Sequence, residues 1–535
     1  MKVYEENLRV LGNILEDKAK INKDKVFLYF KDKKISYREI NEISNRIANG
    51  LLKIGIKKGD HVAVMMANCL ECVYTWFGLA KIGAVEVMVN TAQRGEGLKY
   101  ILNHSDAKVL ITDSNFLEYI KFIEDELEHI TRVIIRYPQG TSDETGYKLR
   151  FNTLFFHELF ENSADLVKTN LRHTDFMGMI YTSGTTGPSK GVMISYNYWY
   201  LVAEDLAKHL RYTSDDILYT CLPLFHANAK CMTIMPALLS DASIVLGERF
   251  SASGFWDEIR KYNATAFNAL GGMAAILYKQ PVKDNDADNP VKIALAIPVP
   301  VNIYEDFEKR FNLKIMEGFG LSESGMITYV PYDDPKPGSM GKAMPGYEIK
   351  IVDEDDNELP INKVGEIVSR PARPYSMTTG YYKMPEKTLE AFRNLWFHTG
   401  DAGYRDKDGF FFFVDRKKDY LRRRGENISS FEVERVINSH PSVRESAVLG
   451  IPSELGEDDV KVVIVLKEKE TLKYEDLIAF CEKRMAYFMV PRYVEFRESL
   501  PKTATDRVEK YKLRGEGITE KTWDREKAGI KVKKP

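Results

Sequence analysis

Alternating strand-like and helix-like stretches in the first third of the chain constrain its fold most strongly. The apolar run HVAVMMA at 61–67 is typical of a buried strand, and LECVYTWFGLAKIG at 70–83 is typical of a helix. The same order repeats in AVEVMV at 84–89, GEGLKYILNHSD at 95–106 and AKVLIT at 107–112. Such alternation predicts parallel β-α-β units with helices on both faces of the sheet. We therefore expect an α/β fold.

The length of the chain and a change in its sequence pattern after residue 415 predict two domains. The chain has 535 residues, which is more than one ordinary core organises. After residue 415 the charge run DRKKDYLRRRGEN precedes further strand-like and helix-like stretches. We predict a large N-terminal domain over 1–416 and a small C-terminal domain over 417–535. The Lys-rich end, EKAGIKVKKP, is predicted to be solvated.

The composition excludes several classes of protein. A formal net charge of −2 gives no reason to expect a nucleic-acid or membrane-surface partner. The sequence offers neither a signal-peptide core nor a long uncharged apolar run. Five cysteines form a sparse, odd set that favours a reducing compartment, so we expect a cytoplasmic protein. Cys69 and Cys72 could form a metal or redox pair, but their apolar surroundings favour two core cysteines.

The stretch YTSGTTGPSKGV at 181–192 is typical of a loop that wraps an anion. Glycines let backbone N–H groups approach closely, hydroxyls donate further hydrogen bonds, and Lys190 adds charge. A Walker-type phosphate loop is disfavoured, because Ser189 stands where its second glycine should be and Gly191 follows the lysine. A flexible surface loop is the remaining alternative from these residues alone.

Three later motifs identify a family. They are MEGFGLSESG at 316–325, WFHTGDAGYRDKDGFFFFVDRKKDYLRRRGENISSFEVE at 396–434, and LPKTATDRVEKYKLR at 500–514. In this order, together with the anion loop, they closely resemble the adenylate-forming (AMP-binding) superfamily of acyl-CoA synthetases, adenylation domains and luciferases. The resemblance runs from about residue 20 to residue 514. PLFHANAK at 223–230 and FNALGGMAAILYKQP at 267–281 look most like the bacterial crotonobetaine/carnitine-CoA ligase-like group.

The resemblance implies an ATP-dependent acyl-CoA ligase with a mobile α+β C-terminal domain. A carboxylic acid and ATP would give acyl-AMP and pyrophosphate, and CoA would then displace AMP to give the thioester. ATP, Mg²⁺ and CoA are the implied cofactor and co-substrates, and a monomer or homodimer is expected. Two alternatives stay open: an adenylating enzyme that passes its acyl group to a carrier protein, and a nucleotide- or CoA-binding regulator that has lost adenylation.

The resemblance also implies roles for the nucleotide-binding residues. The phosphate loop would consist of Thr182, Ser183, Gly184, Thr185, Thr186, Gly187 and Lys190. The adenine and α-phosphate would lie against Glu317, Gly318, Phe319, Gly320 and Ser322. Glu323 would bind Mg²⁺, and Asp401 and Arg416 would hold the ribose. A hydrolase nucleophile elbow is excluded at 320–324, because Ser324 replaces its second glycine.

The remaining roles concern the acid and CoA. His226 would lie where the acyl pocket meets the thiol tunnel, and the pocket wall would include Ala227, Asn228, Ala229, Asn268, Leu270 and Gly271. Gly425 and Glu426 would line the tunnel, and Lys418 would be the hinge of the C-terminal domain. These pocket segments are mainly small and apolar, so a short or cyclic uncharged acid is as consistent with them as a quaternary ammonium acid.

Two departures from the family pattern affect these expectations. The family ends its small domain with T-x-T-G-K, whose lysine bridges carboxylate and α-phosphate, whereas here Asp506 and Arg507 follow Thr505. We expect Arg507 to take the catalytic role, beside Lys190, Glu323 and His226, with Lys502 or Lys510 as alternatives. The family's Gly-Gly-Ala-Pro turn beside adenine falls at 297–300, where Ile297, Pro298, Val299 and Pro300 narrow the pocket or move the backbone.

Overall fold

The computed structural model describes residues 1–533 apart from 139–147, 183–188, 298, 300, 417–419, 424–425, 454–455, 502–507 and 509. At residues 271, 302, 414–416, 420, 427, 429, 431 and 511 it describes the backbone alone.

Helices and strands alternate through much of the chain. The α-helices are α1 (Leu11–Asn22), α2 (Tyr37–Lys53), α3 (Leu70–Ile82), α4 (Gly95–His104), α5 (Leu117–Ile123), α6 (Tyr196–His209), α7 (Met235–Ser240), α8 (Phe255–Tyr262), α9 (Gly271–Tyr278), α10 (Val301–Phe311), α11 (Pro385–Ala391), α12 (Ser430–Asn438), α13 (Tyr474–Glu482) and α14 (Lys510–Glu516). A π-helical turn over Ala229–Ile234 precedes α7.

The strands begin and end as follows. They are β1 (Val26–Phe30), β2 (Lys33–Ser36), β3 (His61–Met65), β4 (Val85–Met88), β5 (Val109–Asp113), β6 (Arg132–Arg136), β7 (Asn152–Phe155), β8 (Phe176–Thr182), β9 (Lys190–Ser195), β10 (Ile217–Thr220), β11 (Ser243–Leu246), β12 (Ala266–Leu270), β13 (Ile293–Ile297), β14 (Lys314–Met316), β15 (Gly318–Leu321), β16 (Gly325–Tyr329), β17 (Lys342–Ala343), β18 (Tyr347–Val352), β19 (Gly365–Pro371), β20 (Phe397–Arg405), β21 (Phe411–Arg416), β22 (Tyr420–Arg423), β23 (Glu426–Ser429), β24 (Val443–Pro452), β25 (Asp458–Leu466), β26 (Tyr493–Arg497) and β27 (Trp523–Asp524).

Two large sheets form the N-terminal part. One has the order β7-β6-β5-β3-β4-β8-β9 and the other β14-β13-β12-β10-β11-β1-β2. Neighbours within each are parallel, except for the antiparallel edge pairs β8 with β9 and β1 with β2. This arrangement confirms the predicted parallel β-α-β units. The strands and helices predicted at 61–112 correspond to β3, α3, β4, α4 and β5.

Smaller sheets follow the two large ones. The orders β15-β16-β17 and β18-β19-β20-β21 precede residue 417, and β22-β23 and β24-β25-β26-β27 follow it. In the last sheet β25 and β26 are parallel and the other pairs antiparallel. The C-terminal part is therefore α+β, with a core of its own built from residues such as Val433, Val462 and Leu477.

Helix α6 joins the two large sheets through a shared aromatic core. Ser195 caps its N-terminus, where the hydroxyl accepts the Tyr198 N–H at 3.1 Å. Its Trp199 packs edge-on against Trp76 of α3, with ring centroids 5.7 Å apart. Both indoles are fully buried. One continuous core therefore fixes the position of the sheet edges that carry the polar loops.

The cysteines and the chain end test two sequence expectations. Cys69 and Cys72 are buried at the start of α3, where burial raises the pKa of both thiols, so the prediction of core cysteines is confirmed. In the end that was predicted to be solvated, residues 526–529, 531 and 533 are exposed, whereas Ile530 and Val532 pack against the C-terminal core. The buried Arg525 guanidinium also donates to the Pro491 carbonyl at 3.1 Å.

Among the described residues, none of the helices combines the length and apolarity that crossing a bilayer requires.

A buried ion pair lies beneath the π-helical turn. The Lys230 ammonium donates to Glu86 of β4 at 2.5 Å, and both side chains are 2% exposed or less. The ammonium also lies 5.3 Å from the centre of the Trp76 ring. Because both charges have left water, each depends on the other for compensation.

We expect Lys230→Met to lower the free energy of unfolding by about 3–5 kcal/mol, because it leaves the Glu86 carboxylate buried and unpaired. The double variant Lys230→Met with Glu86→Gln should recover most of that loss. Denaturant unfolding measures both. Lys261→Met is the control, since the Lys261–Asp32 pair is exposed and 3.5 Å long, so its loss should leave the free energy of unfolding almost unchanged. A double variant as unstable as the single one would contradict the pairing argument.

Candidate active site

A cavity of about 770 Å³ collects most of the predicted site residues whose side chains the structure describes. It opens between the ends of β8 and β9, the turn after β15, strand β20 and the C-terminal part. The predicted residues that line it are Thr182, Lys190, His226, Ala227, Asn228, Leu270, Gly320, Ser322, Glu323, Asp401 and Glu426. The volume suits a small ligand held among several polar groups.

Other predicted residues either lie outside the described part of the chain or are absent from the cavity lining. Ser183, Gly184, Thr185, Thr186, Gly187, Pro298, Pro300, Lys418, Gly425, Lys502 and Arg507 lie outside the described residues. Only the backbone is described at Gly271, where α9 begins, and at Arg416, which is paired in register with Asp401. Lys510 pairs with Glu434 at 2.6 Å within the C-terminal part.

Strands β8 and β9 hold both ends of the predicted phosphate loop. They are antiparallel neighbours, and Thr182 is in register with Lys190. The Lys190 ammonium lies 4.1 Å from the centre of the Tyr381 ring, whose hydroxyl donates to Glu323 Oε1 at 2.9 Å. Tyr381 therefore connects the cation of the loop with the carboxylate expected to bind metal. Sequence reasoning missed this tyrosine, because its neighbours in space are far away in the chain.

The turn between β15 and β16 carries Ser322 and Glu323. The Ser322 carbonyl accepts the hydroxyl of Tyr198 from α6 at 3.0 Å, and the Glu323 carbonyl accepts the Thr378 N–H at 2.7 Å. Gly325 closes the turn at φ +66°, and a Cβ there would meet Val202 of α6 at 2.5 Å. The glycine is therefore required for the turn to pack against the core.

Glu317 supports the predicted adenine-binding segment. Its Oε1 accepts the Val299 N–H at 2.8 Å, so Val299 is anchored next to the strand that carries Gly318, Phe319 and Gly320. Glu317 Oε2 is buried without a hydrogen-bond partner among the described residues. Burial raises the pKa of Glu317 to about 7, although the Val299 N–H opposes that rise.

Asp401 lies buried on β20, where the predicted ribose contact requires a carboxylate. Gly400 adopts φ +73° and its N–H donates to Glu366 Oε1 at 3.1 Å. The buried His398 ring lies beside the same carboxylate, with Nδ1 3.3 Å from Glu366 Oε2. Glu366 and His398 both line the cavity. They support the turn that presents Asp401, and sequence reasoning did not single them out.

The predicted acyl segment follows β10 and includes His226, Ala227 and Asn228. Asn228 lines the cavity, and its Oδ1 accepts from the Asn268 amide at 3.3 Å. Asn268 also donates to the Thr233 hydroxyl at 2.7 Å. Asn268 is thus a buried support of the wall, and Ala229 is fully buried in the π-helical turn.

The C-terminal part reaches the cavity through two polar contacts. Both oxygens of Glu426 lie within hydrogen-bond distance of His226 Nε2, at 2.9 and 3.0 Å. Burial lowers the pKa of His226, but the Glu426 carboxylate raises it more, so the net shift is upward. At the phosphate-loop side, the Ser189 hydroxyl donates to Glu432 of α12 at 3.3 Å. Both parts of the chain therefore contribute side chains to one cavity.

The chain matches two family models. One, AMP-binding enzyme, matches residues 15–382, and the other, AMP-binding enzyme C-terminal domain, matches residues 432–507. A crotonobetaine/carnitine–CoA ligase from Salmonella heidelberg is 34% identical over 525 residues, which are 95% of this chain and 99% of that protein.

Solved structures of CoA ligases are similar over the whole chain. An anthranilate CoA ligase in complex with anthranoyl-AMP has a TM-score of 0.71 and 26% identity, covering 96% of this chain and 98% of that chain. The o-succinylbenzoate CoA synthetase of Bacillus subtilis, bound with a product analogue, has a TM-score of 0.82 at 24% identity, covering 96% and 99%. The predicted resemblance and fold class are thereby confirmed.

We expect the raised pKa of Glu317 to make stability depend on pH. The pKa of the Glu317 carboxyl has its ordinary value of 4.5 in the unfolded chain and is about 7 in the folded chain. The contribution of the protonated Glu317 side chain to the free energy of unfolding is therefore fully present below about pH 4.5 and is lost as the pH rises through about 7. Glu317→Gln keeps an acceptor for the Val299 N–H without ionising, so it should exceed the wild-type free energy of unfolding by about 3 kcal/mol at about pH 8.

Urea unfolding at several pH values measures this difference, which should close towards about pH 4.5. Glu498→Gln is the control, because it removes the same formal charge from an exposed position and should give a difference that does not vary with pH. A Glu317→Gln difference that is equally flat would contradict the burial argument.

Proposed function

The chain belongs to the family of AMP-binding enzymes and is an ATP-dependent, AMP-forming acyl-CoA ligase, and we propose that the cavity described above serves both steps of its reaction. The substrates are a carboxylic acid, ATP and CoA. The observation that carries the proposal is the convergence of the β8–β9 ends, the Glu323 turn, Asp401 and Glu426 on one cavity. These groups supply what acyl transfer through an adenylate requires: a pyrophosphate cradle, a ribose anchor and an approach for the thiol.

In the first step, we propose that the phosphate loop at 182–190 holds the leaving pyrophosphate. Lys190 would stabilise the charge that builds on the departing oxygen, and its contact with the Tyr381 ring limits where the ammonium can lie. Asp401 would accept both ribose hydroxyls, a task for which two carboxylate oxygens are suited. Arg416, paired in register with Asp401, would add a second ribose or phosphate contact.

Glu323 fits the role of the Mg²⁺ ligand. Its carboxylate lines the cavity, and only Oε1 is bound by Tyr381 among the described residues. Mg²⁺ is commonly held by one or two carboxylates together with substrate phosphates and waters, so one acidic side chain is sufficient here. When bound, the ion would neutralise charge on the phosphates of ATP.

In the second step, we propose that the C-terminal part delivers CoA to the acyl-adenylate. The contact between Glu426 and His226 places β23 at the cavity, where Gly425 and Glu426 would line the thiol tunnel. Lys418 would be the hinge, at the boundary between domains 1–416 and 417–535. In the first step the domain would turn and bring Arg507 into the cavity. A cytoplasmic monomer or homodimer remains our proposal for the location and assembly of the enzyme.

The choice of acid is a separate question. The Salmonella relative is named for crotonobetaine and carnitine, which carry a quaternary ammonium. Cations of this kind are bound by aromatic faces or carboxylates.

We expect product analysis by mass spectrometry to identify both steps. The enzyme is given ATP, Mg²⁺ and a pool of short, branched, aromatic and betaine acids, with and without CoA. A new acyl-CoA that appears only with CoA, together with AMP and pyrophosphate, is the expected result. Acyl-AMP that accumulates without any thioester in the presence of CoA would instead indicate a carrier-protein acceptor.

We expect Arg507→Ala to slow acyl-adenylate formation by about 10²–10³-fold, because it removes a cation from the developing charge. Arg507→Lys should retain more activity, since the family uses lysine at this position. Pyrophosphate release with hydroxylamine as the acceptor measures this step without CoA. Lys521→Ala is the control, because it removes a cation from an exposed position in the same part of the chain. Full adenylation by Arg507→Ala would remove Arg507 from the catalytic set.

A further inference from the structure

The wall of the acyl pocket is neutral where it meets the cavity. In the segments 222–232 and 268–270, the described lining residues other than His226 carry no charge. They are Leu222, Phe225, Ala227, Asn228, Cys231, Met232 and Leu270. Lys230 belongs to the same segment, but its ammonium points away from the cavity lining to Glu86. The wall therefore offers polar contacts through Asn228 and apolar contacts through its neighbours.

The orientation of Asn228 is fixed by a chain of side-chain hydrogen bonds. Asn268 is 2% exposed and donates both to Thr233 and to Asn228 Oδ1. The oxygen of Asn228 is thereby occupied. No acceptor in the described part of the chain takes the amide hydrogens of Asn228, and this side chain lines the cavity. Asn228 thus presents the positive edge of its amide to a bound acid.

Two carboxylates next to the wall, Glu86 and Glu426, are already compensated. Glu86 is paired with Lys230, and both are buried behind the wall. Glu426 is held by His226, whose pKa it raises. A cationic acyl group would therefore lose its hydration and meet an amide N–H₂ group, the one aromatic ring of Phe225 and aliphatic or sulfur-containing side chains, without an uncompensated carboxylate in the described segments of the wall. Burying a charge without a partner costs far more than burying a neutral group of the same shape.

We propose that the acid activated by this enzyme has an uncharged acyl group that accepts a hydrogen bond from Asn228, and that Asn228 excludes quaternary ammonium acids. This inference rests on the proposed placement of the acyl group in the cavity. Asn228 selects the acid by the polarity of its amide group. The size of the pocket is set by the apolar neighbours of Asn228.

A matched pair of acids tests the inference. Crotonobetaine is compared with its carbon isostere, in which a tert-butyl group replaces the trimethylammonium group, so the two acids differ in charge but hardly in shape. AMP formation with CoA gives kcat/KM for each. We expect the wild type to favour the neutral acid by at least about tenfold. A preference for crotonobetaine, or no preference, would overturn the inference.

Variants separate the role of Asn228 from the size of the pocket. Asn228→Asp is nearly isosteric and adds a carboxylate to the wall, so it should shift the preference towards crotonobetaine by about tenfold or more. Asn268→Leu, which releases Asn228, should weaken the discrimination without reversing it. Asn285→Asp adds the same charge in an exposed loop and should leave the preference unchanged. A shift in Asn285→Asp equal to that in Asn228→Asp would contradict a local effect.

The assay also distinguishes this inference from the proposed function. AMP formation with any acid of the wider pool reports the ligase reaction, whereas the ratio within the matched pair reports the selection by Asn228. Equal turnover of crotonobetaine and its isostere would be consistent with the proposed ligase reaction and would contradict the proposed selection by Asn228. Failure to form AMP with every acid in the pool counts against the proposed function, and the inference fails with it.

Discussion

The cavity depends on the contact that His226 and Glu426 make between the two parts of the chain. His226 lies at the end of a loop that Asn68 holds in place, because the Asn68 amide donates to the carbonyls of Leu222 and Gly247, each at 3.0 Å. The Asn68 oxygen accepts the Leu224 N–H at 2.9 Å. One buried asparagine thereby fixes the loop that receives the C-terminal part. The acceptor is charged, so the contact is stronger while His226 carries its proton.

The nucleotide side of the cavity is organised differently, by side chains that link turns distant in the chain. Tyr381 lies beside β9 through an isolated bridge to Val192, contacts Lys190 and binds Glu323. These residues come from three separate segments, and their mutual distances follow from how β9 and the β15–β16 turn pack against α6. A small displacement of that packing would separate the Lys190 ammonium from the Glu323 carboxylate. Gly325 is required because it lets the β15–β16 turn pack closely against α6.

Sequence patterns predicted the sheets and the motif residues, and they failed where contacts connect distant segments. The strand at 61–67 and the helix at 70–83 follow from local apolar periodicity, and the structure has both. Asn68, Tyr381 and Glu366 lack any local signal, because their roles arise from partners more than 30 residues away. At the chain end the described lysines are exposed as predicted, but Ile530 and Val532 alternate with them and pack on the core. Roles for Arg507 and Gly425 stay predictions.

Electrostatic compensation would let one cavity accept two polyanions and still select the neutral acid that we propose. Several carboxylates line it, and an uncompensated acidic surface would repel both ATP and CoA. Glu323 is bound by a tyrosine hydroxyl, Glu426 by a histidine and Glu432 by a serine hydroxyl. On the acyl wall the same balance is reached by burial, since Lys230 and Glu86 neutralise each other behind the lining. The proposed choice of a neutral acid would therefore depend on the charges that the fold has removed from the cavity surface and on the Asn228 amide, which Asn268 holds in place.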